Sequence, residues 1–342
     1  MLGAVYVDSP VFMKNSLFAL DRSINRDNCL FHYSLLKRKL GCENIDLVTL
    51  DMVNSSKVDF IVFADLPMYP DTVHKIVETY RPKRKYLMLW ESELIKPQNW
   101  VIENHRGFDG IFTWSKRYKA EEGYIHFQWP NRIPAELHFT DPKHKAGFIL
   151  IANNRLSDVA GELYTERRKA IRWFEKMYPQ EFSLYGKNWD AAPIFTNPQF
   201  LLKLRITRKI LKYRKYRTLC GPIVAKPPVL SPARFSICYE NAKGIPDYVT
   251  EKIIDSLISG TIPIYLGVQN IESYVDQRCF IDKRKFPRYR DLYAYCKSIT
   301  DQEYRDIQES MKSFLSSEKG RMFSSEKFAE IVAKKILTDM AI

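Results

Sequence analysis

The stretch from Arg234 to Gly267, RFSICYENAKGIPDYVTEKIIDSLISGTIPIYLG, constrains the fold of this chain more than any other. An apolar run (Phe235, Ile237, Cys238, Tyr239) stops at the polar pair Glu240-Asn241. A loop with Gly244 and Pro246 follows, and an amphipathic segment opens at Val249-Thr250-Glu251-Lys252. Ile253, Ile254, Leu257 and Ile258 recur at helical spacing, Gly260 closes the helix, and Ile262 to Leu266 reads as a buried strand ended by Gly267. Strand, helix and strand in this order make a βαβ crossover, which requires a parallel sheet with helices on its faces.

The loop before this helix carries the chemistry. A helix start presents unpaired N–H groups and the positive end of the macrodipole, a natural seat for a phosphate. Lys252 adds a mobile cation, and Glu251 can accept hydrogen bonds from the two hydroxyls of a ribose. On spacing alone, a helix capped by Thr250 with Glu251 and Lys252 as solvated first-turn charges is the simpler reading.

The whole string resembles the donor-binding signature of the α1,3/α1,4-fucosyltransferase family, glycosyltransferase family 10. That signature runs roughly F-x-x-x-[FY]-E-N-[ST]-x-x-x-D-Y-[VI]-T-E-K and then G-T-[VI]-P-[VI]-Y-x-G. This chain departs from the common form at Tyr239, where Phe is usual, and at Ala242, where Ser or Thr is frequent. Neither change removes a charged group.

Weaker segments extend the resemblance. LWESELIKP is similar to the family's acidic segment after an apolar strand, which makes Glu91 the candidate base, with Glu93 as the alternative register. FTWSKRY, Phe112 to Tyr118, is similar to N-W-T-x-S-Y-R. The segment from Gly147 through Asn153-Asn154 into a helix from about Gly161 to Met177 is similar to the family's strand and Arg-bearing helix. Apolar spacing (Ile171, Phe174) favours Arg167 as the match to the family's arginine, with Arg168 as fallback, and the resemblance implies that this arginine contacts the donor diphosphate. GPIVAKPPVL puts Lys226 in the place of a family lysine. Each of these residues also has a plain reading as a surface or strand-end charge.

The resemblance implies a GT-B enzyme: α/β, two facing Rossmann-like domains with a cleft between them. It would transfer L-fucose from GDP-fucose to a hydroxyl of an acceptor glycan with inversion, α1,3 to GlcNAc of an N-acetyllactosamine-type chain being the family default. Glu91 would be the base. Arg167, Lys226 and Lys252 would meet the diphosphate, Glu251 the ribose, and Asn241 and Tyr248 would line the donor pocket. No DxD sits convincingly at a strand end, so no metal or other cofactor is expected to be required, a divalent cation at most stimulating GDP release. The rivals are a GT-B transferase for another GDP-deoxyhexose and an inactive, basic nucleic-acid-binding relative.

Length and composition fit this. At 342 residues and 45% hydrophobic, the chain suits two domains. We expect residues 1–140 as the acceptor-side domain, 141–325 as the GDP-sugar domain, and 326–342 as a helix folding back on the first. No apolar run nears the roughly 20 residues that span a bilayer, and MLGAVYVDSP lacks the features of a signal peptide. The expectation is a cytoplasmic protein, soluble or peripherally bound to membrane. The six cysteines form no CxxC pair, which argues for a reducing compartment and against zinc.

Much of the net charge of +13 is concentrated in Lys203 to Arg217. There Leu204, Ile206, Ile210 and Leu211 alternate with basic side chains as in a basic amphipathic helix. Contact with a membrane or anionic polymer and packing against the domain are equal alternatives.

Apolar periodicity further predicts strands at Ala4 to Val7, Ile45 to Leu50, Val58 to Phe63, Tyr86 to Trp90, Gly110 to Trp114, Gly147 to Ala152, Phe182 to Tyr185 and Cys279 to Ile281. Helices are expected at Asn28 to Leu40, after Asp71, and at Tyr289 to Ile299, Asp301 to Leu315 and Ser325 to Met340. Residues from Ile133 to Lys145 read as a linker.

Overall fold

Runs of Val, Ile, Leu and Phe with no alternating polar face dictate strands buried on both sides, and two parallel sheets result. The structure, a computed structural model, describes residues 1–21, 23–54, 57–69, 71–118, 121–191, 194–195 and 216–341. It divides into two units, 1–133 with 321–342, and 134–320.

The sheet of the first unit has six parallel strands in the order β2-β1-β3-β4-β5-β6. They are β1 (Leu2–Tyr6), β2 (Asp46–Thr49), β3 (Phe60–Ala64), β4 (Arg84–Leu89), β5 (Gly110–Thr113) and β6 (Tyr124–His126). Ala4, Ile61, Phe63, Leu87 and Leu89 form its buried centre. The edge strand β6 was not expected: it has three residues, all half-buried, too short for a period to register.

The first helix begins at Phe31, later than expected, because Asp27 and Asn28 hold φ values of 58° and 59°, outside the right-handed helical region. The helix Ser325–Asp339, capped by the Ser324 hydroxyl accepting from the Lys327 amide, packs on this first helix. Phe328 meets the rings of His32 and Trp90 at 4.9 and 5.5 Å.

In the second unit six parallel strands run β11-β9-β7-β12-β13-β14. These are β7 (Ala146–Ile151), β9 (Phe182–Tyr185), β11 (Leu219–Gly221), β12 (Ala233–Tyr239), β13 (Ile262–Leu266) and β14 (Ile281–Asp282). A small ladder joins β8 (Arg155–Leu156) to β10 (Ile194–Phe195). The last strand lies later than expected, because Asp276 accepts from the Arg278 amide and turns Gln277–Cys279 into a 3-10 turn. The helix anticipated from Gly161 starts at Tyr164, since Gly161 has φ +86° and its carbonyl accepts from the Lys243 amide.

Beneath this sheet the Lys145 ammonium is buried among oxygens. It donates to the carbonyls of Ser231 (2.5 Å), Ala233 (3.3 Å) and Ser259 (3.5 Å) and to the Thr261 hydroxyl (3.2 Å).

Among the described residues no helix is long and apolar enough to cross a membrane. All six cysteines are free thiols. Most of the basic stretch, residues 203–215, lies outside the described residues. At its end the Arg217 amide donates to Glu175.

Candidate active site

The second unit builds a pocket where β7 and β12 end. Gly186, after β9, has φ +141°, and any Cβ there would collide with the Ala152 carbonyl oxygen, so this close approach of two strand ends admits only glycine. The pocket, about 420 Å³ counting open solvent, is walled by Ile149, Ile151, Leu230 and Ile237, with Arg167, Lys226, Lys252 and Asp255 as its charges. Three predicted donor-side cations therefore line one cavity.

Arg167 is carried on the helix Tyr164–Met177 and is buried. Its guanidinium donates twice to the Tyr239 carbonyl (3.2 and 2.6 Å) and once to Asn241 Oδ1 (3.0 Å), with the Tyr164 ring 5.2 Å away. Arg168 turns elsewhere, donating to the Arg155 carbonyl and the Thr165 hydroxyl. Asn241 passes the contact on, its amide donating to the Tyr248 hydroxyl at 3.3 Å.

The helix Glu251–Ile258 starts at the pocket. Thr250 is its N-cap residue but makes no side-chain cap, because the hydroxyl donates to Glu240 instead (2.7 Å). The Thr250 amide also goes to Glu240 (3.0 Å), so this amide is already occupied.

Lys252 Nζ donates to the Thr250 hydroxyl (2.8 Å) and lies 3.3 Å from Glu240 and 3.5 Å from Glu251. Burial works against its charge, but Glu251 and then Glu240 outweigh it and raise the Lys252 pKa. Burial would raise the Glu251 carboxyl, yet Lys252, then Lys226, pull it down to about 2. Lys226 Nζ sits 2.5 Å from Asp255 and 3.9 Å from Glu251. Arg167, Lys226 and Lys252 thus face Glu240, Glu251 and Asp255, three charges of each sign.

Glu91 belongs to the first unit, just after β4, and its backbone is clamped. Asp65 accepts from the amides of Trp90 (2.6 Å) and Glu91 (3.2 Å), and the Trp100 indole donates to the Glu91 carbonyl (3.0 Å). Asp65 is buried with φ 65°, and desolvation raises its pKa against the pull of Lys96. Glu93 accepts both terminal nitrogens of Arg117 (3.2 and 3.1 Å). Trp114 is a core residue, 1% exposed.

Sequence reasoning missed Glu240, Asp255 and Asp65. Asp255 had a signal, since it stands four residues after Glu251 on the same helix face. Glu240 showed only as the polar residue that stops an apolar strand. Asp65 had no local signal, as its partners lie about 25 residues on.

Residues 222–318 match the family described as glycosyltransferase family 10 (fucosyltransferase) C-term. An alpha-(1,4)-fucosyltransferase of Arabidopsis thaliana is 38% identical over 72 residues, 21% of this chain and 18% of that protein. The alpha-(1,3)-fucosyltransferase FucT of Helicobacter pylori is 35% identical over 82 residues, 24% of this chain and 17% of the other. The matched segments thus span under a fifth of those relatives' own length. Among solved structures, an alpha1,3-fucosyltransferase with GDP-fucose superposes with TM-score 0.53 at 15% identity, covering 98% of this chain and 90% of that one. An alpha-glucosyltransferase in complex with UDP and DNA gives 0.59 at 12% identity, covering 99% and 100%. At these identities the likeness is one of fold, and two parallel-sheet Rossmann-like units of the GT-B class agree with the expectation from sequence.

Proposed function

From the family 10 fucosyltransferase domain that this chain carries over residues 222–318, we propose an inverting transferase that moves L-fucose from GDP-fucose to a hydroxyl of an acceptor glycan. The observation that carries the proposal is the convergence of Arg167, Lys226 and Lys252 on one pocket at a helix start, with Glu251 beside them. In the reaction the bond from the anomeric carbon to the β-phosphate oxygen breaks and its electron pair stays on the diphosphate. Fixed cations stabilise that growing charge more than the ground state. The acceptor oxygen attacks the opposite face of the sugar and Glu91 takes its proton. GDP departs without a general acid.

Glu251 is assigned to the ribose hydroxyls, and Asn241 and Tyr248 to the pocket wall. Arg167, buried and already holding Tyr239 and Asn241, meets the diphosphate from a rigid base. No metal is assigned a role, and activity should survive chelation by EDTA.

Transfer to O3 of GlcNAc in an N-acetyllactosamine-type chain is the proposed linkage, with α1,4 transfer as its alternative. A cytoplasmic setting is proposed from the six free thiols. The first test is calorimetry with GDP, where absence of heat sinks the reading. The second is product linkage analysis after incubation with GDP-fucose and an acceptor array. Turnover with a different GDP-deoxyhexose and none with GDP-fucose would replace the donor.

A further inference from the structure

Glu240 is a fully buried carboxylate. Burying such a group is unfavourable unless it is paired and hydrogen-bonded. Its side chain is held at the start of the pocket helix by the Thr250 amide at 3.0 Å, the Thr250 hydroxyl at 2.7 Å and the Lys252 ammonium at 3.3 Å. Room for it is made on the neighbouring strand end, where a Cβ on Gly267 would lie 2.6 Å from Glu240 Cγ.

This arrangement works against simple anion affinity. Glu240 takes one amide away from any phosphate and offsets part of the Lys252 charge. What it provides is a fixed place for the ammonium, whose contacts (Thr250, Glu240, Glu251) form one cluster anchored on an immobile group. Charge held in place before the reaction needs no reorganisation as the leaving group forms.

We propose that Glu240 is a positioning residue that acts through Lys252, trading donor affinity for a preorganised cation at the departing diphosphate. The proposal rests on reading this pocket as the nucleotide-sugar site. Without the Glu240 charge, the Lys252 ammonium keeps the Thr250 hydroxyl and Glu251 as its partners, and the group meant for the ribose is drawn off it.

The test is a double-mutant cycle with GDP calorimetry and steady-state kinetics on GDP-fucose, using wild type, Glu240→Gln, Lys252→Met and the double variant. Glu240→Gln should bind GDP as tightly as wild type or more so, while kcat falls between about 10- and about 100-fold. In the Lys252→Met background the same change should cost almost nothing. A purely structural role predicts that affinity and kcat fall together and that the two substitutions add, and either result overturns the proposal. No GDP heat from wild type overturns the pocket reading and this proposal with it. Should Glu240→Gln not fold, Thr250→Val removes the hydroxyl between the two charges. The same split between affinity and kcat is expected there, and its absence also overturns the proposal.

Discussion

Lys226 Nζ lies 2.5 Å from Asp255 Oδ2 and 3.9 Å from Glu251 Oε1, so one ammonium is shared by two carboxylates a helical turn apart. Removing it leaves both anions less compensated at the place where the proposed ligand would bring a third. Lys226→Met should weaken GDP binding by about 10-fold and flatten its dependence on salt. Calorimetry at two ionic strengths measures both effects, and unchanged affinity would remove Lys226 from the donor site.

The two acidic candidates of the first unit are chemically distinct. Glu93 is held by both terminal nitrogens of Arg117, whereas the Glu91 backbone is fixed by Asp65 and Trp100. Glu91→Gln should retain GDP affinity and lose transfer by at least about 100-fold, within the span of a general base. Glu93→Gln should keep most of its turnover. The reverse pattern would move the base by one register.

The Glu251 carboxyl, ordinarily at 4.5, is held at about 2 in the folded protein, burial being outweighed by Lys252 and Lys226. Between those values the unfolded chain binds more protons than the folded one. The contribution of Glu251 to stability is therefore whole above pH 4.5 and is lost as the pH falls through 2. In urea titrations at about pH 5 and about pH 3, wild type should lose more stability on acidification than Glu251→Gln. Equal losses would mean that the carboxylate is not held by its lysines.

Lys145 runs in the opposite sense. Burial first, then Arg234, lowers its pKa from 10.5 to about 8. Between those values the unfolded chain holds the extra proton, so the lysine adds stability as the pH rises. Wild type should gain about 1 to 2 kcal/mol relative to Lys145→Met between about pH 8 and about pH 9.5. Urea midpoints at the two pH values give the comparison.

Legibility from sequence followed the range of the interactions. β13 and β9 coincide with the strands read from apolar runs, and the helix Asp301–Ser316 ends one residue from its expected limit, because burial patterns are local. Starts shifted where a backbone choice intervened, as at Asp27 and Asn28 before the first helix and at Gly161 before the Arg167 helix. At the candidate site, Arg167, Lys226 and Lys252 could be listed from sequence, but not their pairing with Asp255 and Glu240, since a salt partner 12 or 29 residues away leaves no period to read. Thr250 is the clearest lesson. Its position is that of a cap, yet its hydroxyl is spent on a buried carboxylate that no spacing rule identifies.

Because the helix Ser325–Asp339 belongs to the first unit, that unit is made of two segments that flank the second unit in sequence. During synthesis its sheet leaves the ribosome before the ring of Phe328 that seals His32 and Trp90. The second unit can mature in between. A nascent or prematurely terminated chain would therefore carry an open aromatic seam on an otherwise formed sheet, the kind of surface that chaperones and proteases recognise.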